Sequence, residues 1–415
     1  MDHVDPDYDF VRDDFGSNRR KGVTDMYAHQ MLTPAPYDGL LVAMSGVKKG
    51  GRYSEAAQHR LLRDGVRKFL NFEGPRFANK IVMGDCGAFA YATRDTPPYT
   101  IEELVDFYTF GQFTHGCALD HVIFEFDTAN PSIEDVAAPV RARFELTLDN
   151  AEKFLTEVRQ RGTPFVPIGV VQGWSPDSMA KAAKHLVSLG YKYLAVGGLV
   201  PLKSPQIHQC LRSLRSEVAD ADLHLLGFAK AESIHEFLDY NITSFDSTSP
   251  LIRAFKDAKA NYYLQRGDGL DYYIALRVPQ ALLNSKLMQS TKRGSASPER
   301  LLELESKTLS ALREYDDNRC TLDTAHAALD DYLTHYYEVT ERDPASAIKK
   351  LDRVRPLMRR TLADRPWTEC SCAICQDAKI DVVIFRSSNR NKRRGMHNLG
   401  VYHQYLQSLP LRTSK

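Results

Sequence analysis

The stretch "FVPIGVVQGWSPDSMAKAAKHLVSLGYKYLAVGGL", residues 165–199, contains two short apolar runs separated by an amphipathic helical pattern. The helical pattern ends at Gly190, and glycine commonly terminates helices. A strand, a helix and a second strand in this order are typical of a parallel sheet with helices packed outside it. The stretch therefore predicts an α/β fold.

Similar apolar runs recur between about residue 38 and residue 246. They are "GLLVAMSG" (39–46), "KIVMGDCG" (80–87), "HVIFEFD" (121–127), "FVPIGVVQG" (165–173), "YLAVGGL" (193–199), "LHLLGFA" (223–229) and "ITSFDS" (242–247). Most runs end in a polar residue or a glycine, namely Asp85, Asp127, Gln172, Gly198, Gly227 and Asp246. In a closed barrel these ends meet at one mouth, where active sites of that fold lie. This distribution favours a (β/α)8 TIM barrel over an open doubly wound sheet.

The alternation of apolar runs and amphipathic segments ends after Asp246. Long helical patterns without strand signals fill residues 298–364. We interpret them as a helical insertion. The predicted parts are an N-terminal extension (1–37), a (β/α)8 barrel core (38–297), the helical insertion (298–364) and a zinc-binding region with a closing helix (365–415). In the last part, residues 379–409 predict a strand, a basic turn and the closing helix.

Composition and charge indicate a soluble globular protein. Hydrophobic residues make up 43% of the 415 residues and charged residues 26%, so the chain can bury a core. Lys plus Arg (54) balances Asp plus Glu (53), so net charge gives no sign of a nucleic-acid partner. No stretch approaches the roughly 20 apolar residues of a membrane span, and the first residues lack the apolar segment of a secretory signal. We expect a cytoplasmic location, no membrane partner and reduced cysteines.

Three of the seven cysteines lie close together near the end of the chain. Cys370, Cys372 and Cys375 form C-x-C-x-x-C, and His397 follows 22 residues after the last cysteine. Thiolates and imidazole suit tetrahedral Zn²⁺, and four protein ligands without an open position make a structural site. His403 is an alternative fourth ligand. The spacing therefore predicts a structural zinc ion that stabilises the fold.

Several short motifs carry a family resemblance. "GDCGAF", "VVQG", "VGGL", "LLGFA" and "SFDS", followed by C-x-C-x-x-C and "HN", resemble the tRNA-guanine transglycosylase family. That family exchanges guanine in a nucleic acid for a 7-deazaguanine on a zinc-bearing (β/α)8 barrel. The resemblance runs from about residue 40 to 409, except for the helical insertion, and implies a pentosyltransferase. One departure is "DCGAF" for the family's "DSGGF", which places Cys86 where a serine contacts substrate.

The resemblance also implies roles for individual residues. Asp246 would be the nucleophile that holds the sugar covalently, and Asp85 the general acid/base. Asp127 would read the guanine amidine edge, with Asp120 as an alternative reader. The other implied base-binding residues are Gln172, Gly198, Phe89, Leu226, Gly227 and Cys86, with Phe89 and Leu226 on either side of the ring.

The basic segment "RSSNRNKRRGMHN" (386–398) predicts a surface that binds a phosphate backbone. The predicted backbone contacts are Arg253, Arg386, Arg390, Lys392, Arg393 and Arg394. This segment and the 124-residue separation of Asp246 and Cys370 resemble the DNA-directed branch of the family. That branch inserts 7-cyano-7-deazaguanine (preQ0) into DNA in a restriction-modification system or a phage protective modification.

The resemblance therefore implies a DNA-guanine transglycosylase with DNA and a free 7-deazaguanine base as its partners. A tRNA-guanine transglycosylase and a non-catalytic nucleic-acid-binding subunit on the same barrel are the alternatives. Further proteins of a DNA-modification system and a homo-oligomer are partners that the sequence leaves open.

Overall fold

The structure is a computed structural model that describes residues 3–48, 51, 53–128 and 132–410. These residues form two units. We call residues 38–248 the sheet unit, and residues 3–37 together with Ser249–Pro410 the helical unit. The predicted boundary between residues 297 and 298 lies within the helical unit.

The helical unit contains the first elements of the chain. They are β1 (His3–Val4), β2 (Met26–Tyr27) and α1 (Ala28–Met31), and the two strands pair antiparallel.

The sheet unit contains a seven-stranded parallel sheet whose strands lie in chain order. The strands are β3 (Gly39–Ala43), β4 (Ile81–Asp85), β5 (His115–Cys117), β6 (Val166–Val171), β7 (Tyr193–Val196), β8 (Asp222–Leu225) and β9 (Ser244–Phe245). The helices are α2 (Met44–Val47), α3 (Glu55–Asp64), α4 (Val66–Phe69), α5 (Ile101–Phe110), α6 (Ala138–Arg161), α7 (Pro176–Leu189) and α8 (Ser204–Glu217). Short 3-10 helices lie at Pro75–Phe77, Ala88–Tyr91 and Ala231–Tyr240.

The parallel α/β sheet predicted from the strand and helix rhythm is confirmed. In the described residues, the outer strands β3 and β9 do not pair with each other, so closure into an eight-stranded barrel stays a prediction. Helix α7 begins after Ser175, whose side chain accepts a hydrogen bond from the Ser178 amide, and ends at Gly190 with φ of 108°. Both ends follow the capping rules that the sequence suggested.

One predicted strand is wrong. "HVIFEFD" is irregular in the structure, and the third strand lies upstream at His115–Cys117. The amides of His121 and Ile123 donate to the side chains of Thr147 and Gln172, at 3.1 and 3.2 Å, and not to a neighbouring strand. Its apolar pattern reflects burial of Val122 and Ile123 in a loop.

The rest of the helical unit follows the sheet unit in the chain. Its strands are β10 (Tyr262–Arg266), β11 (Gly269–Tyr273), β12 (Leu276–Arg277) and β13 (Ile384–Phe385). Its helices are α9 (Ser249–Lys256), α10 (Ser285–Lys292), α11 (Pro298–Asp316), α12 (Leu322–Thr340), α13 (Pro344–Asp364), α14 (Pro366–Glu369), α15 (Ala373–Ala378) and α16 (Ser388–Ser408), with a 3-10 helix at Lys379–Val383. No helix in the described part of the chain combines the length and apolar character needed to span a bilayer.

Helices α11 to α13 lie within residues 298–364, where the sequence predicted long helices. Their residues Leu312, Tyr332 and Met358 are buried in the same core as Tyr262 of β10 and Leu276 of β12. Burial of this kind is the main stabilising contribution to a fold. The three helices are therefore part of the core of the helical unit and not an appendage to it.

The basic segment is not a turn, because it forms the first half of α16. Arg390, Arg393 and Arg394 are 0% exposed, and the Arg386 side chain is 7% exposed. Their guanidinium groups bind partners within the protein: Arg386 contacts Glu305 at 2.5 Å, and Arg394 donates to the Ala254 carbonyl at 2.7 Å. A buried guanidinium group must have its donors satisfied internally. The structure thus corrects the predicted phosphate-binding surface for these four arginines, whereas Lys392 and Arg253 are partly exposed.

Asp13 connects the N-terminal segment to this arginine cluster. Its carboxylate is 5% exposed, accepts from Arg390 Nε at 3.0 Å and also binds Arg386. We expect Asp13→Asn to lower the free energy of unfolding by about 3 kcal/mol, because Arg386 and Arg390 each lose one of two carboxylate partners in a buried site. Asn tolerates the φ of 56° at this position, so backbone strain is not introduced. Urea denaturation measures the change.

The matched control is Asp7→Asn, a change at an exposed residue of the same segment. It should alter the free energy of unfolding by less than about 0.5 kcal/mol. Equal effects of the two substitutions would contradict a structural role of the Asp13 ion pairs.

Candidate functional site

Three carboxylates lie near the carboxyl ends of the parallel strands of the sheet unit. Asp85 is the last residue of β4, Asp120 follows β5, and Asp246 follows β9. Burial, followed by the negative charges of Asp120 and Asp246, raises the pKa of Asp85 to about 7. A carboxyl group with such a pKa exchanges protons near neutral pH, as a general acid/base must.

Asp120 is the centre of a buried hydrogen-bond network. The Cys86 thiol donates to its Oδ1 at 2.9 Å, and Gln172 Nε2 donates to its Oδ2 at 2.7 Å. The Tyr91 hydroxyl lies 2.9 Å from both Cys86 Sγ and the Asp120 carbonyl oxygen. Burial raises the pKa of Asp120 and also that of the Cys86 thiol. Cys86 is therefore a protonated hydrogen-bond donor and not a thiolate nucleophile.

The structure separates the two candidate base-reading acids. Asp127 is partly buried in the irregular segment after β5, where its amide donates to the Trp174 carbonyl at 2.7 Å. It lies outside the group in which the polar atoms of Asp85, Cys86 and Asp120 are all within 4.8 Å of one another. Asp120 thus occupies the position next to Asp85 and Gln172, and the role of Asp127 stays a prediction.

Asp246 has one anchored carboxylate oxygen. Its Oδ1 accepts from the Gly227 amide at 2.7 Å and lies 3.3 Å from His224 Nε2. Gly227 has φ of 61°, a conformation that glycine adopts without strain. The Asp246 side chain is 28% exposed, and no donor in the described residues contacts Oδ2. An anchored carboxylate with one accessible oxygen suits nucleophilic attack.

The remaining predicted base-binding residues also follow strand ends. Phe89 is 55% exposed, and its ring lies 5.3 Å from that of Phe124, which is 37% exposed. Leu226 follows β8 and is partly buried. A side chain at Gly198 would place its Cβ 2.8 Å from the Ile123 carbonyl oxygen, so glycine is needed for this close approach. Exposed aromatic rings beside polar groups are typical of base-stacking surfaces.

The raised pKa of Asp85 has a consequence for stability. Asp85 binds its proton more tightly in the folded protein than in the unfolded chain, where its pKa is near the ordinary 3.8. Its contribution to the free energy of unfolding therefore decreases as pH rises from about 4 to about 7. We expect Asp85→Asn to raise the free energy of unfolding by on the order of 3 kcal/mol at pH 8 and to have little effect at pH 4. Thermal denaturation at both pH values measures it.

The exposed residue Asp95 supplies the control, because Asp95→Asn removes the same charge from the same unit. This variant should keep the wild-type dependence of stability on pH. If Asp85→Asn kept that dependence as well, Asp85 would not titrate near neutral pH.

The helical unit contains a second cluster, made of Cys370, Cys372, Cys375 and His397. His397 Nδ1 lies 3.6, 3.5 and 3.3 Å from the three sulfur atoms, in chain order. Zn–S bonds of about 2.3 Å and a Zn–N bond of about 2.0 Å at the tetrahedral angle place nitrogen and sulfur about 3.5 Å apart. The four side chains therefore fit a tetrahedral zinc ion. The rival ligand His403 lies outside this group.

Further contacts orient the imidazole of His397. Its Nε2 lies 2.8 Å from the Tyr263 carbonyl oxygen, which fixes Nδ1 as the atom that faces the sulfurs. The Tyr262 ring stacks on the imidazole with centroids 4.0 Å apart, and its hydroxyl lies 3.2 Å from Cys375 Sγ. Outer contacts of this kind are usual around protein metal ligands.

Sequence reasoning missed Tyr91, Phe124 and His224. His224 had a visible signal, because it is a polar residue inside the apolar run "LHLLGFA". Tyr91 and Phe124 had none, since aromatic residues in a sequence usually belong to a core. Their positions beside Cys86 and Phe89 depend on the tertiary structure.

Comparison with known proteins shows the family to which the chain belongs. No protein-family model matches it. A DNA-guanine transglycosylase from Salmonella montevideo is 38% identical over 421 residues, which cover 100% of this chain and 96% of the relative. Identity of this extent over both full lengths shows common descent and a common fold. The chain therefore belongs to the tRNA-guanine transglycosylase superfamily, in its DNA-modification branch, and is a pentosyl-transferring enzyme.

Proposed function

We propose that the enzyme exchanges guanine in DNA for a 7-deazaguanine through a covalent bond between Asp246 and deoxyribose. The observation that carries this proposal is the pair of carboxylates at the strand ends. Asp246 has an anchored, accessible carboxylate, and Asp85 has a pKa raised to about 7. Retaining glycosyl transfer requires such a nucleophile and such an acid/base.

In the first half of the reaction, a lone pair of Asp246 Oδ2 forms a bond to C1′ of the target nucleotide. The C1′–N9 bond breaks, and its electron pair leaves with guanine. Protonated Asp85 gives its proton to the departing base, so neutral guanine is released. At pH values above about 7 Asp85 loses this proton, and we expect guanine release to slow.

In the second half, the free 7-deazaguanine replaces guanine. The Asp85 carboxylate accepts the N9 proton of the incoming base, and the N9 electron pair attacks C1′. The bond between C1′ and Asp246 breaks, and its electron pair returns to the carboxylate. Asp85 is then protonated for the next guanine, which makes the cycle complete.

Base recognition follows from the buried network and the exposed ring. Asp120 and Gln172, whose side chains bind each other at 2.7 Å, are the proposed readers of the hydrogen-bonding edge of guanine, and Asp127 is the alternative reader. Phe89 and Leu226 would cover the faces of the base, and Gly198 and Gly227 would supply backbone groups at its edge. We propose preQ0 as the incoming base, as the resemblance to the DNA-directed branch implies.

The cysteine and histidine cluster would bind Zn²⁺ as a structural ion. All four ligands come from the protein, so no position is left for a substrate or water. The chemistry that the ion supplies is confined to stabilising the fold, through bonds that join α15 and its flanks to α16.

DNA is the proposed nucleic acid because the relative with 38% identity bears the name DNA-guanine transglycosylase. Arg253 and Lys392, which are partly exposed, are the proposed phosphate contacts in the helical unit. A duplex substrate requires the target nucleotide to leave the helix, at a cost of a few kcal/mol. We propose a cytoplasmic enzyme of a restriction-modification or protective DNA-modification system, whose other proteins assist strand opening.

Mass spectrometry of nucleosides tests the proposal. Plasmid DNA and bulk tRNA are each incubated with purified enzyme and preQ0, then digested. We expect a deazaguanine deoxynucleoside from DNA only, and its loss with Asp246→Ala. Modified tRNA and unmodified DNA would instead establish a tRNA enzyme, and wild-type exchange by Asp246→Ala would overturn the covalent mechanism.

A further inference from the structure

Three neighbouring strands of the sheet unit place a row of polar side chains that ends at Asp246. Tyr193 is on β7, His224 on β8 and Ser244 on β9. Ser244 lies directly opposite His224 in the register of the sheet. The Tyr193 hydroxyl lies 2.6 Å from Ser244 Oγ, and Ser244 Oγ lies 2.6 Å from His224 Nδ1. The row continues to Asp246, since His224 Nε2 lies 3.3 Å from its Oδ1.

The chemistry of the end group sets the direction of every hydrogen bond in this row. A carboxylate only accepts, so His224 Nε2 must carry a proton and donate it to Asp246. In a neutral imidazole Nδ1 then accepts, and the Ser244 hydroxyl is its donor. Ser244 Oγ in turn accepts from the Tyr193 hydroxyl, which stays protonated because burial raises the pKa of Tyr193. The hydroxyls of Tyr193 and Ser244 each donate one hydrogen bond, and both ring nitrogens of His224 have a hydrogen-bond partner.

We propose that His224 is a positioning residue for the nucleophile, oriented by Ser244 and Tyr193. This inference rests on the proposed role of Asp246. Two donors, His224 Nε2 and the Gly227 amide, bind the same oxygen of Asp246. They restrict rotation of the carboxylate and leave Oδ2 for attack on C1′. His224 is 3% exposed, so water does not compete for this contact.

The same contact acts in both halves of the reaction. Asp246 must approach C1′ with a defined orientation when guanine leaves, and misplacement of a reacting group by about 1 Å costs on the order of 100-fold in rate. When the new base arrives, the carboxylate is the leaving group, and a fixed donor stabilises its returning charge. The affinity for the free base should not depend on His224, because neither of its ring nitrogens is available to the base.

Two substitutions of similar size separate positioning from packing. His224→Gln places an amide nitrogen near the position of Nε2 and keeps a donor toward Asp246. His224→Asn places its amide near Nδ1, keeps the contact with Ser244 and loses the donor toward Asp246. Both variants remove the same buried ring, so a purely structural residue would give equal effects. Ser244→Ala is a milder third variant that removes only the group that orients the imidazole.

The assay follows incorporation of radiolabelled guanine into DNA and the covalent protein–DNA adduct on denaturing gels. We expect His224→Asn to lower kcat by about 10- to 100-fold, with KM for the base changed by less than about 2-fold. His224→Gln should restore kcat to within about 5-fold of the wild type, and Ser244→Ala should lower it by about 5-fold. Urea denaturation shows that the compared variants are folded.

Equal kcat values for His224→Gln and His224→Asn, or an effect confined to KM, would overturn the positioning role. If both His224 variants fail to fold, a wild-type kcat for folded Ser244→Ala would overturn it. Asp246→Asn distinguishes the two levels of the argument. If Asp246→Asn is inactive and His224→Asn is fully active, His224 does not position the nucleophile, but the proposed mechanism stands. If Asp246→Asn is active, the proposed mechanism itself is wrong.

Discussion

Asp246→Asn should lower the rate of base exchange by about 10⁴-fold or more, and the protein–DNA adduct should be absent. Asn has the size of Asp and keeps an acceptor for the Gly227 amide, which is 2.7 Å from Oδ1 in the wild-type protein. It lacks the negative charge that, in the proposed mechanism, attacks C1′ and stabilises the cationic sugar. Loss of rate then reports the chemistry and not a change of shape.

The measurement is incorporation of radiolabelled guanine into DNA, with denaturing gels for the adduct. Asp149→Asn is the control, because Asp149 is on the outer helix α6 with a side chain that is 52% exposed. It should exchange base at the wild-type rate. An adduct formed by Asp246→Asn would show that another residue is the nucleophile.

Removal of the metal should have the second large effect. A structural zinc site of this kind contributes on the order of 10 kcal/mol to folding at neutral pH, so Cys375→Ser or prolonged chelation should unfold the helical unit. Cys375 is 2% exposed in a core shared by Trp367 and Ile374, which leaves no replacement ligand from solvent. Elemental analysis and thermal denaturation measure the zinc content and the stability.

Cys320→Ser is the matched control in the same unit, since Cys320 is partly exposed and lies outside the metal cluster. This variant should retain one zinc ion per chain and a melting temperature within a few degrees of the wild type. If Cys375→Ser also retained the ion, the cysteine and histidine cluster would not be the metal site.

Local sequence patterns are enough to predict some residues of the candidate site. Asp85 ends an apolar strand and Asp246 follows one, and parallel strands bring their carboxyl ends to one edge. The spacing of Cys370, Cys372 and Cys375 predicts ligands of one ion without any knowledge of the fold. In both cases the candidate residues lie beside helices or strands that the hydrophobic pattern of the sequence predicts.

Other residues depended on contacts between distant segments. "HVIFEFD" alternates like a strand, but its amides bind the side chains of Thr147 and Gln172. The run "RNKRR" reads as an exposed basic turn, but it is helical, and Arg390 binds Asp13 from the other end of the chain. A local charge pattern cannot reveal burial when one of the counter-charges, Asp13, lies 377 residues away in the chain.

The sequence by itself determined the parallel α/β sheet, the helices at 298–364, the three cysteines of the proposed zinc site and the two carboxylates proposed for catalysis. These features follow from periodicity and spacing, which act over a few residues. Only the tertiary structure decided that Asp120 lies beside Asp85, that the arginines of α16 are buried, and that Tyr193, Ser244 and His224 lead to Asp246. The reason is physical: burial, proton affinity and hydrogen-bond direction are properties of the groups that surround a residue in space.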